Sequence, residues 1–575
     1  MSAIARSISR DRLVLRTTFG STWRPARRAH SYEIPAYYCR EYHLARNGQP
    51  SRSWHRRPIF LLALGLSLGA GIVYTLQNAS KLQSLRPGPA CDRLQVLPRY
   101  AGREELEKAV SGLRATFGED RASTDEEELR RHGFSEWSSI NIDTLPVAIA
   151  YPRTTEEVSV IAQACTRYKI PIVPYSGGSS VEGNFSAPYG GLCIDFAFMD
   201  QVLAVHEDDL DVVVQPGIGW MDLNAQIQKS GLFFPVDPGP SAMIGGMVGT
   251  SCSGTNAVRY GTMKENVVNL TVVLADGTII KTRHRPRKSA AGYNLTGLLV
   301  GSEGTLGIVT EITLKLQPIP ATTSVGLIPF VSVRDAASAA SEIIKTGIQV
   351  GALEIMDDVS MDVVNRAGFT DRKWDVVPTM FIKFAGSNES TSEAIKLVQS
   401  ITTRHRGGNV EFATTPEEQH ELWSARKQAL WSMLALRKGD EEVWSTDVAV
   451  PLSRLPDIIE VSKKEMDELG LFAAVLGHIG DGNFHESIMF DGSDPEERRK
   501  VEGCVKRMVT RAIEMEGTCT GEHAIGIGKK GHLVEELGFD TILVMQKLKA
   551  SLDPLWIMNP GKIFDHPRED RIVGH

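Results

Sequence analysis

The hydrophobic and polar positions separate a short N-terminal region from a long globular body. Nineteen uncharged and largely apolar residues run from Pro58 to Leu76, between Arg56-Arg57 and Lys81. A helix rises about 1.5 Å per residue, so this run would span about 28 Å, close to the thickness of a bilayer hydrocarbon core. The pattern predicts one transmembrane helix over residues 58–77. A buried helix of a soluble domain is the alternative, because glycines dilute the hydrophobicity of the run.

The body begins with helical patterns and then mixes strand and helix signals. Short β-branched runs alternate with helices and glycine-rich turns from Pro146 to about Pro320, without a repeat of fixed period. A second region opens with a strand pattern over 324–330 and contains long helical patterns, one of which, over 495–516, stops at Gly517. This mixture of strand and helix patterns predicts an α+β fold with two soluble domains. The predicted boundaries are 78–140 for a linker and N-terminal helical part, 141–320 for the first domain, 321–555 for the second, and 556–575 for a C-terminal segment.

The first 57 residues differ from the rest in charge. They contain twelve Arg, no Lys and three acidic residues, whereas the whole chain of 575 residues has a net charge of −7. Arg-rich, acid-poor leaders are typical of mitochondrial presequences, so residues 1–57 are predicted to be one, with a disordered basic tail as the alternative. The arginines before the apolar run would stay in the matrix. This orientation places the body on the inner membrane, facing the intermembrane space.

The rest of the chain is acidic. Residues 58–575 contain 51 Lys and Arg against 67 Asp and Glu, a net charge of −16. This balance argues against nucleic acid as a ligand and favours a basic protein as partner, although net charge also serves solubility. With 42% hydrophobic residues the chain can bury large cores. Its seven cysteines form neither CxxC nor CxxCH patterns, so we expect no haem-attachment or iron–sulfur site.

Three glycine-rich segments each lie beside a predicted strand. Ser176-Gly177-Gly178-Ser179-Ser180 follows the strand pattern that ends at Tyr175, and two further segments cover residues 238–261 and 301–310. Because glycine lacks a Cβ atom, such loops let backbone amides approach a pyrophosphate, and serine hydroxyls add donors. One such segment alone is better explained as a turn. Three of them in one domain favour a dinucleotide-binding site.

A hairpin signal predicts a metal site in the second domain. Asp481-Gly482 is a strong two-residue turn signal, and counting outward from it pairs His478 with His485. Directly opposed residues have Cβ atoms about 5 Å apart, so both imidazoles can converge on one ion. A later glycine-rich loop offers Glu522 as a third ligand and His523 as a base with a pKa near neutrality. Structural histidines and a polar, glycine-loosened helix exit are the alternatives.

Together the three glycine-rich segments resemble the FAD domain of the vanillyl-alcohol oxidase superfamily. The similar stretches read PYSGGSSVEG, IGGMVGTSCSGTNAVRYG and LLVGSEGTLGIVTE, and the resemblance covers residues 140–565, including the closing WIMNPGKIF. It implies a two-part PCMH-type FAD-binding domain, an α+β substrate domain of the FAD-oxidase C-terminal type, and a C-terminal return to the flavin. Members with covalent flavin often carry His in the first loop, where this chain has Ser179, so non-covalent FAD is implied. The residues implied to bind FAD are Pro174, Ser176, Gly177, Gly178, Ser179, Ser180, Gly183, Pro238, Gly245, Gly246, Gly249, Thr250, Ser253, Gly254, Asn256, Tyr260, Gly261, Glu303, Gly304, Gly307, Ile308, Val309 and Asn559.

Two further motifs narrow the resemblance to the FAD-dependent D-2-hydroxyacid dehydrogenases. The motifs of that family are similar to GHIGDGNFH and TGEHAIG in this chain. The resemblance implies that His478, His485 and Glu522 bind a divalent metal, for which we expect zinc. It also implies that His523 removes the proton of the substrate hydroxyl. Arg426 would hold the substrate carboxylate with its planar guanidinium, although without the resemblance it is better explained as an ordinary surface residue of a helix.

The resemblance implies oxidation of D-lactate to pyruvate by hydride transfer to FAD. Relatives acting on D-2-hydroxyglutarate carry a Lys shortly before an Asp-Val pair, where this chain has Ser445-Thr446-Asp447-Val448, and the loss of that cation argues against a dicarboxylate. Because no haem or iron–sulfur ligands occur, electrons must pass to an external acceptor, and basic cytochrome c suits an acidic body. The open alternatives are quinone as acceptor, glycolate or D-2-hydroxyglutarate as substrate, a non-redox enzyme like the ether-lipid synthases, and a flavin-binding protein without catalysis.

Overall fold

The computed structural model of the chain describes residues 98–136, 138–413 and 415–567. The predicted presequence, residues 1–57, and the predicted transmembrane helix, residues 58–77, lie outside the described residues. Within the described ranges, no helix is both long enough and apolar enough to cross a membrane.

The first lobe is a small four-stranded sheet with helices. Its elements are the helices α1 Arg103–Phe117, α2 Glu126–Gly133 and α3 Thr155–Tyr168, a 3-10 helix at Glu119–Arg121, and the strands β1 Ala122–Ser123, β2 Ala148–Ala150, β3 Ile172–Tyr175 and β4 Leu192–Asp195. The strand order is β1-β2-β4-β3, with β2, β4 and β3 parallel and β1 antiparallel to β2. Helix α3 makes the crossover from β2 to β3 that parallel strands require. Because β1 pairs with β2, the chain before residue 141 is part of this sheet.

The second lobe is an antiparallel sheet that carries two of the glycine-rich segments. Its elements are the strands β5 Val202–His206, β6 Asp211–Val214, β7 Leu232–Phe233, β8 Val267–Val273, β9 Ile279–Lys281, β10 Ile308–Lys315 and β11 Gln317–Pro318, the helices α4 Trp220–Ile227, α5 Ile244–Thr250, α6 Ala257–Tyr260, α7 Met263–Asn266 and α8 Leu295–Leu299, and a 3-10 helix at Gln228–Ser230. The main sheet has the order β5-β6-β10-β8-β9, and β7 pairs with β11. The second glycine-rich segment forms α5 and α6, and the third leads into β10.

The cap is an eight-stranded antiparallel sheet covered by helices on both faces. Its elements are the strands β12 Thr322–Pro329, β13 Val350–Met356, β14 Thr379–Gly386, β15 Glu411–Ala413, β16 Glu441–Ser445, β17 Val448–Ala449, β18 Phe472–Gly477 and β19 Asn483–Asp491, and the helices α9 Val333–Lys345, α10 Asp358–Ala367, α11 Asn388–Arg404, α12 Pro416–Ala435, α13 Leu455–Leu469, α14 Pro495–Glu514, α15 Lys530–Leu537 and α16 Phe539–Leu552. The order is β15-β12-β14-β13-β18-β19-β16, and β17 also pairs with β19. Helices α9, α11, α13 and α14 share a core with one face, whereas α10 and α12 pack on the other.

The C-terminal segment returns to the first lobe. Met558 bridges to Ile172 in parallel, because the N–H of Ile172 donates to the carbonyl of Ile557 at 2.7 Å and the N–H of Asn559 donates to the carbonyl of Ile172 at 2.8 Å. The side-chain amide of Asn559 also donates to the carbonyl of Glu303 at 2.6 Å. The segment thereby extends the edge of β3 and joins it to the third glycine-rich segment.

The hairpin that carries the two histidines has a longer loop than the sequence predicts. The predicted pairing set His478 opposite His485, but the residue opposite His485 is Leu476, so the predicted register is wrong. A two-residue type I′ turn requires a positive φ at both of its central residues. Of Asp481 and Gly482 only Gly482 has one, at 78°. Residues 478–482 therefore form a five-residue loop between β18 and β19.

Neighbouring strands hold this loop in place. The N–H of Gly480 donates to the carbonyl of Leu353 in β13 at 3.2 Å, and the N–H of Val450 donates to the carbonyl of Gly482 at 3.0 Å. These two hydrogen bonds lie on opposite sides of the hairpin. They pair backbone groups of the loop with other parts of the chain, whereas a two-residue turn would have paired such groups within the hairpin. His478 is the first residue of this loop, just beyond the end of β18.

Candidate active site

One cavity brings the predicted cofactor, metal and catalytic residues together. It has a volume of about 750 Å³ and is lined by residues of both lobes and of the cap. All three glycine-rich segments contribute to its wall. The predicted metal ligands and catalytic residues that line it are Arg426, His478, His485, Glu522 and His523.

Most of the residues implied to bind FAD line this cavity. They come from the end of β3, from the segment around α5, from the segment before β10 and from the C-terminal return. Those in the wall are Pro174, Ser176, Gly177, Gly178, Ser179, Ser180, Pro238, Gly245, Gly246, Gly249, Thr250, Gly254, Asn256, Glu303, Gly304, Gly307, Val309 and Asn559. The remaining five, Gly183, Ser253, Tyr260, Gly261 and Ile308, lie outside the wall.

Two of these outlying residues have contacts that explain their position. Ile308 is the first residue of β10 and is completely buried in the core. Ser253 donates a hydrogen bond from its hydroxyl to Oε2 of Glu522 at 2.7 Å, so it holds a predicted metal ligand rather than facing the cavity.

The cavity wall contains close contacts that only glycine permits. A Cβ atom at Gly177 would lie 2.8 Å from the carbonyl oxygen of Ser241. A Cβ atom at Gly304, where φ is 69°, would lie 2.9 Å from Cγ of Pro174. At Gly246, in contrast, a Cβ atom would meet no atom within 4 Å and would take up free space at the wall. The loops thus pack tightly against one another while leaving room for a ligand, and the residues present fit a bound FAD.

We expect the purified protein to contain about one FAD per chain that acid or heat releases. Ser179 lies in the cavity wall at the position where covalent members of the superfamily often carry His, and a hydroxyl does not form that flavin bond. Flavin absorbance of the supernatant and of the washed pellet after precipitation measures the outcome. Flavin that remains with the precipitated protein would contradict the expectation.

Two histidines and a glutamate converge at one point of the wall. The ligand atoms of His478, His485 and Glu522 all lie within 4.8 Å of one another. Nε2 of His478 lies 3.2 Å, and Nε2 of His485 3.3 Å, from Oε1 of Glu522. The three side chains meet although the predicted register is wrong, because His478 reaches the site from the loop and not from a paired strand position.

Hydrogen bonds on the far side of each imidazole point Nε2 toward Glu522. Nδ1 of His478 lies 2.9 Å from a carboxylate oxygen of Glu354, and Nδ1 of His485 lies 3.0 Å from the carbonyl oxygen of Thr446. Both partners are acceptors, which assigns the proton to Nδ1 and leaves the Nε2 lone pairs for a metal. Two imidazoles and one carboxylate form a ligand set of zinc sites that keep an open position. The residues present fit a divalent metal.

The charges of this cluster are coupled. Burial alone would lower the pKa of His478, but Glu354 and Glu522 outweigh burial and raise that pKa well above its usual value. Burial would likewise raise the pKa of Glu522, but His478 and His485 hold it well below its usual value. Glu522 is therefore a carboxylate at neutral pH. A metal ion bound by Nε2 of His478 would displace a proton, as metals do at protonated ligands.

His523 lies directly beside this cluster. Its ring stacks on that of His485, with 5.1 Å between the centroids and 13° between the planes. Its Nδ1 is buried and has no hydrogen-bond partner among the described residues. Burial, together with His485 and Lys529, outweighs the opposing effects of Asp447 and Glu522 and lowers the pKa of His523 to about 4, below the near-neutral value that the sequence predicted. The imidazole is therefore neutral and presents an unprotonated nitrogen that can accept a proton.

Asp447 holds the loop that carries Glu522 and His523, a role that the sequence does not reveal. The donors to its Oδ2 atom are the Thr520 hydroxyl at 2.7 Å and the backbone N–H groups of Gly521 at 2.7 Å, Glu522 at 2.9 Å and His523 at 2.9 Å. Burial would raise the pKa of Asp447, but His523, Lys529 and His485 outweigh burial and hold it well below its usual value. Consecutive N–H groups in a buried loop require an acceptor. Nothing in the local pattern says that this distant aspartate supplies it.

Arg426 reaches the cavity from α12 and is held by Glu354. Nε of Arg426 donates to a carboxylate oxygen of Glu354 at 3.0 Å. Lys383 in β14 also lines the cavity, with its ammonium 3.9 Å from the centre of the Trp423 ring. Ser445 lines the same cavity. The wall thus contains two cations besides Arg426, namely Lys383 and Lys427, which could not be predicted from the segment beginning at Ser445.

Two family models cover the described body. The model for the FAD binding domain matches residues 146–283, and the model for the C-terminal domain of FAD linked oxidases matches residues 319–563. These matches identify a PCMH-type FAD-binding part followed by an FAD-oxidase C-terminal part, both α+β. The junction falls between β11 and β12, where the second lobe ends and the cap begins.

Proteins of known name share this sequence over most of its length. The D-lactate dehydrogenase (cytochrome), mitochondrial, of Arabidopsis thaliana is 47% identical over 460 residues, which are 80% of this chain and 81% of the relative. The protein of the same name from Kluyveromyces lactis is 44% identical over 520 residues, 88% of this chain and 90% of the relative. The solved structure of 4-ethylphenol oxidase from Gulosibacter chungangensis superposes with a TM-score of 0.68 at 18% identity, covers 82% of this chain and all of its own, and shows the fold alone. The chain belongs to the FAD-linked oxidases, in the family of the mitochondrial D-lactate dehydrogenases (cytochrome).

Proposed function

We propose that the protein oxidises D-lactate to pyruvate in the cavity described above and passes the electrons to cytochrome c. The observation that carries this proposal is the buried cluster of His478, His485 and Glu522, with His523 and Arg426 in the same cavity. The names of the relatives from A. thaliana and K. lactis give D-lactate as their substrate and a cytochrome as their acceptor, which supports the proposal. We propose non-covalent FAD and Zn²⁺ as the two bound groups.

The side chains of the cavity divide the work on the substrate. Arg426 binds the carboxylate of D-lactate and fixes its orientation, because a guanidinium can donate two parallel hydrogen bonds to a carboxylate. The imidazole of His523, which lines the cavity, accepts the hydroxyl proton, and burial keeps this imidazole neutral so that it can do so. Bound FAD supplies the hydride acceptor for the α-hydrogen, and a bound divalent metal supplies polarisation of the hydroxyl. Asp447 and Glu354 orient the residues that carry out these tasks.

Anaerobic mixing with candidate substrates tests the proposed reaction. We expect D-lactate to bleach the flavin absorbance faster than L-lactate, glycolate or D-2-hydroxyglutarate, because the site combines one carboxylate anchor with one base on a fixed loop. Faster bleaching by glycolate or D-2-hydroxyglutarate would assign another hydroxyacid to the site. Lys383 and Lys427 make D-2-hydroxyglutarate the most informative competitor, since either of these cations could bind the second carboxylate of a dicarboxylate. A flavin that none of them bleaches would contradict oxidation altogether.

We propose a mitochondrial location with the body in the intermembrane space. The relatives are named as mitochondrial proteins. The Arg-rich residues 1–57 and the apolar residues 58–77 support a presequence and one transmembrane helix in the inner membrane. Import of the full chain into isolated mitochondria, followed by protease treatment after the outer membrane is opened, tests this placement.

Reduction of cytochrome c should slow by about tenfold or more as salt rises from low to physiological concentration. The acidic body, with a net charge of −16 for residues 58–575, attracts a basic acceptor, and salt screens this attraction over about 8–10 Å. Stopped-flow measurement at several ionic strengths checks the effect, with flavin reduction by D-lactate as the internal control that should change little. Cytochrome turnover that does not respond to salt would favour a quinone or a neutral docking patch.

A further inference from the structure

One buried carboxylate contacts both ends of the proposed substrate site. Glu354 is only 1% exposed. Its carboxylate accepts a hydrogen bond from Nε of Arg426 at 3.0 Å and lies 2.9 Å from Nδ1 of His478. A second guanidinium nitrogen, Nη2 of Arg426, also lies 3.0 Å from Oε2. The residue proposed to bind the substrate carboxylate and a residue proposed to bind the metal therefore share one acceptor.

The strand that carries Glu354 is itself tied to both partners. Strand β13 lies inside the cap sheet, paired with β14 on one side and with β18 on the other. The chain passes from β18 directly into the loop of His478, and that loop is bonded back to Leu353 through the N–H of Gly480. Helix α12, which carries Arg426, packs on the face of the sheet that includes Ala352 and Met356. Glu354 is on the same face, because alternate residues of a strand point to the same side.

The contact with Glu354 leaves the other edge of the Arg426 guanidinium available. Glu354 occupies Nε and Nη2 of Arg426, and no described residue accepts a hydrogen bond from Nη1. Arg426 lines the cavity at this point. A guanidinium presents its donors in a rigid planar fork, so fixing one edge fixes the direction of the other. The same carboxylate fixes the ring of His478, whose Nε2 faces Glu522.

We propose that Glu354 is a positioning residue that sets the separation between the carboxylate anchor Arg426 and the metal ligand His478. A single rigid link between these two groups favours binding of acids whose hydroxyl is on the carbon next to the carboxylate. It disfavours acids in which the hydroxyl and the carboxylate are further apart. This inference rests on the proposed function for its substrate, but its effect on metal binding does not depend on activity. The predicted signature is a joint loss of metal affinity and substrate affinity from one substitution.

Glu354→Gln tests the link directly. The amide oxygen can still accept one hydrogen bond, but the amide nitrogen must face the other partner, and both Arg426 and Nδ1 of His478 are donors. We expect the affinity for Zn²⁺, measured by competition with a chromophoric chelator in the absence of substrate, to fall about 10–100-fold. We expect KM for D-lactate, measured at saturating Zn²⁺, to rise about tenfold or more, the loss that follows from one charge-assisted hydrogen bond. The flavin-reduction rate at saturating substrate should fall less than kcat/KM does.

The chain offers a matched control in Glu342. Its carboxylate also bridges an arginine and a histidine, Arg404 and His405, but it lies at the surface. Glu342→Gln should change neither the Zn²⁺ affinity nor KM. Glu354→Asp serves as the second variant of the test, because it keeps the charge and shortens the reach. It should retain FAD, raise KM for D-lactate, and narrow the preference for D-lactate over D-3-hydroxybutyrate.

The possible results separate this inference from the proposed function. Unchanged Zn²⁺ affinity and KM in Glu354→Gln, as in Glu342→Gln, would overturn the inference while leaving D-lactate oxidation intact. A change in only one of the two constants would also overturn it, because the carboxylate would then serve one partner and not link both. If the wild-type flavin is not reduced by D-lactate, the proposed function fails, and the Zn²⁺ measurement still decides whether Glu354 positions His478. Should Glu354→Gln not fold, as judged by FAD content, Glu354→Asp decides the question by the same two constants.

Discussion

Replacing His523 with alanine is expected to slow flavin reduction by D-lactate about 10²–10⁴-fold, the usual contribution of a general base. The reason is that the neutral imidazole of His523 lines the cavity beside the metal cluster, where it can accept the hydroxyl proton. His523 bonds neither Glu522 nor the nitrogens of His478, so the variant should keep its metal. Anaerobic stopped-flow spectroscopy measures the rate, and elemental analysis of the same sample measures the metal.

The companion variant His485→Ala should lose turnover for a different reason. It removes one of three metal ligands, and two remaining ligands hold a divalent ion poorly. Metal content should therefore fall, while FAD stays bound because the glycine-rich segments are untouched. His405→Ala, at a surface histidine bonded to Glu342, is the matched control and should resemble the wild type. If His485→Ala retained full metal and His523→Ala lost it, the two roles would be exchanged.

Asp447→Ala should lower the free energy of unfolding by about 3–5 kcal/mol, the scale for breaking a buried charged contact. Four donors of the loop 520–523 lose their shared acceptor, and the ammonium of Lys529, 3.7 Å from Oδ2, loses a nearby negative charge. Metal content and turnover should fall together, because the same loop carries Glu522 and His523. Urea unfolding of the purified variant and elemental analysis check both effects.

Two further variants serve as comparisons for the loss of stability in Asp447→Ala. Asp447→Asn keeps an oxygen that can accept part of these hydrogen bonds, so its loss of stability should be smaller. Asp457→Ala removes a carboxylate that pairs with Arg334 at the surface, where such pairs contribute about 0–1 kcal/mol. An Asp447→Ala protein as stable as Asp457→Ala would show that the loop is held by other contacts.

The residues of the metal cluster could be found in the sequence, but the reason for their proximity could not. The Asp481-Gly482 signal correctly located a hairpin, and the two histidines do meet Glu522. The predicted register was wrong because turn propensity is local, whereas the loop is shaped by hydrogen bonds to Leu353 in β13 and to Val450, just after β17. Side chains at the end of a hairpin can converge from more than one register, so the prediction of convergence survived the error.

The orienting residues lay beyond the reach of sequence patterns. Glu354 sits in a strand pattern and Asp447 in a short polar stretch, and neither position carries a local signal of function. Their importance depends on contacts with residues 72 and 76 positions away in the chain, Arg426 and His523. Lys383 was missed in the same way, because its place in the cavity wall follows from sheet order. Spacing rules apply to neighbours along a helix or across a hairpin. They do not predict contacts between residues that are far apart in the chain.

The C-terminal return also constrains when the protein can finish folding. The strand edge at Ile172 receives its partner Met558 only after the entire cap has been synthesised, and Asn184 and Asn559, which are bonded, are 375 residues apart. Contacts of such long range close late, because the entropy of the intervening chain must be lost first. The first lobe therefore cannot be completed before the cap has been synthesised. The edge of β3 at Ile172 thus lacks this partner until residues 557–559 are available, so the first lobe and the cap complete their folding together.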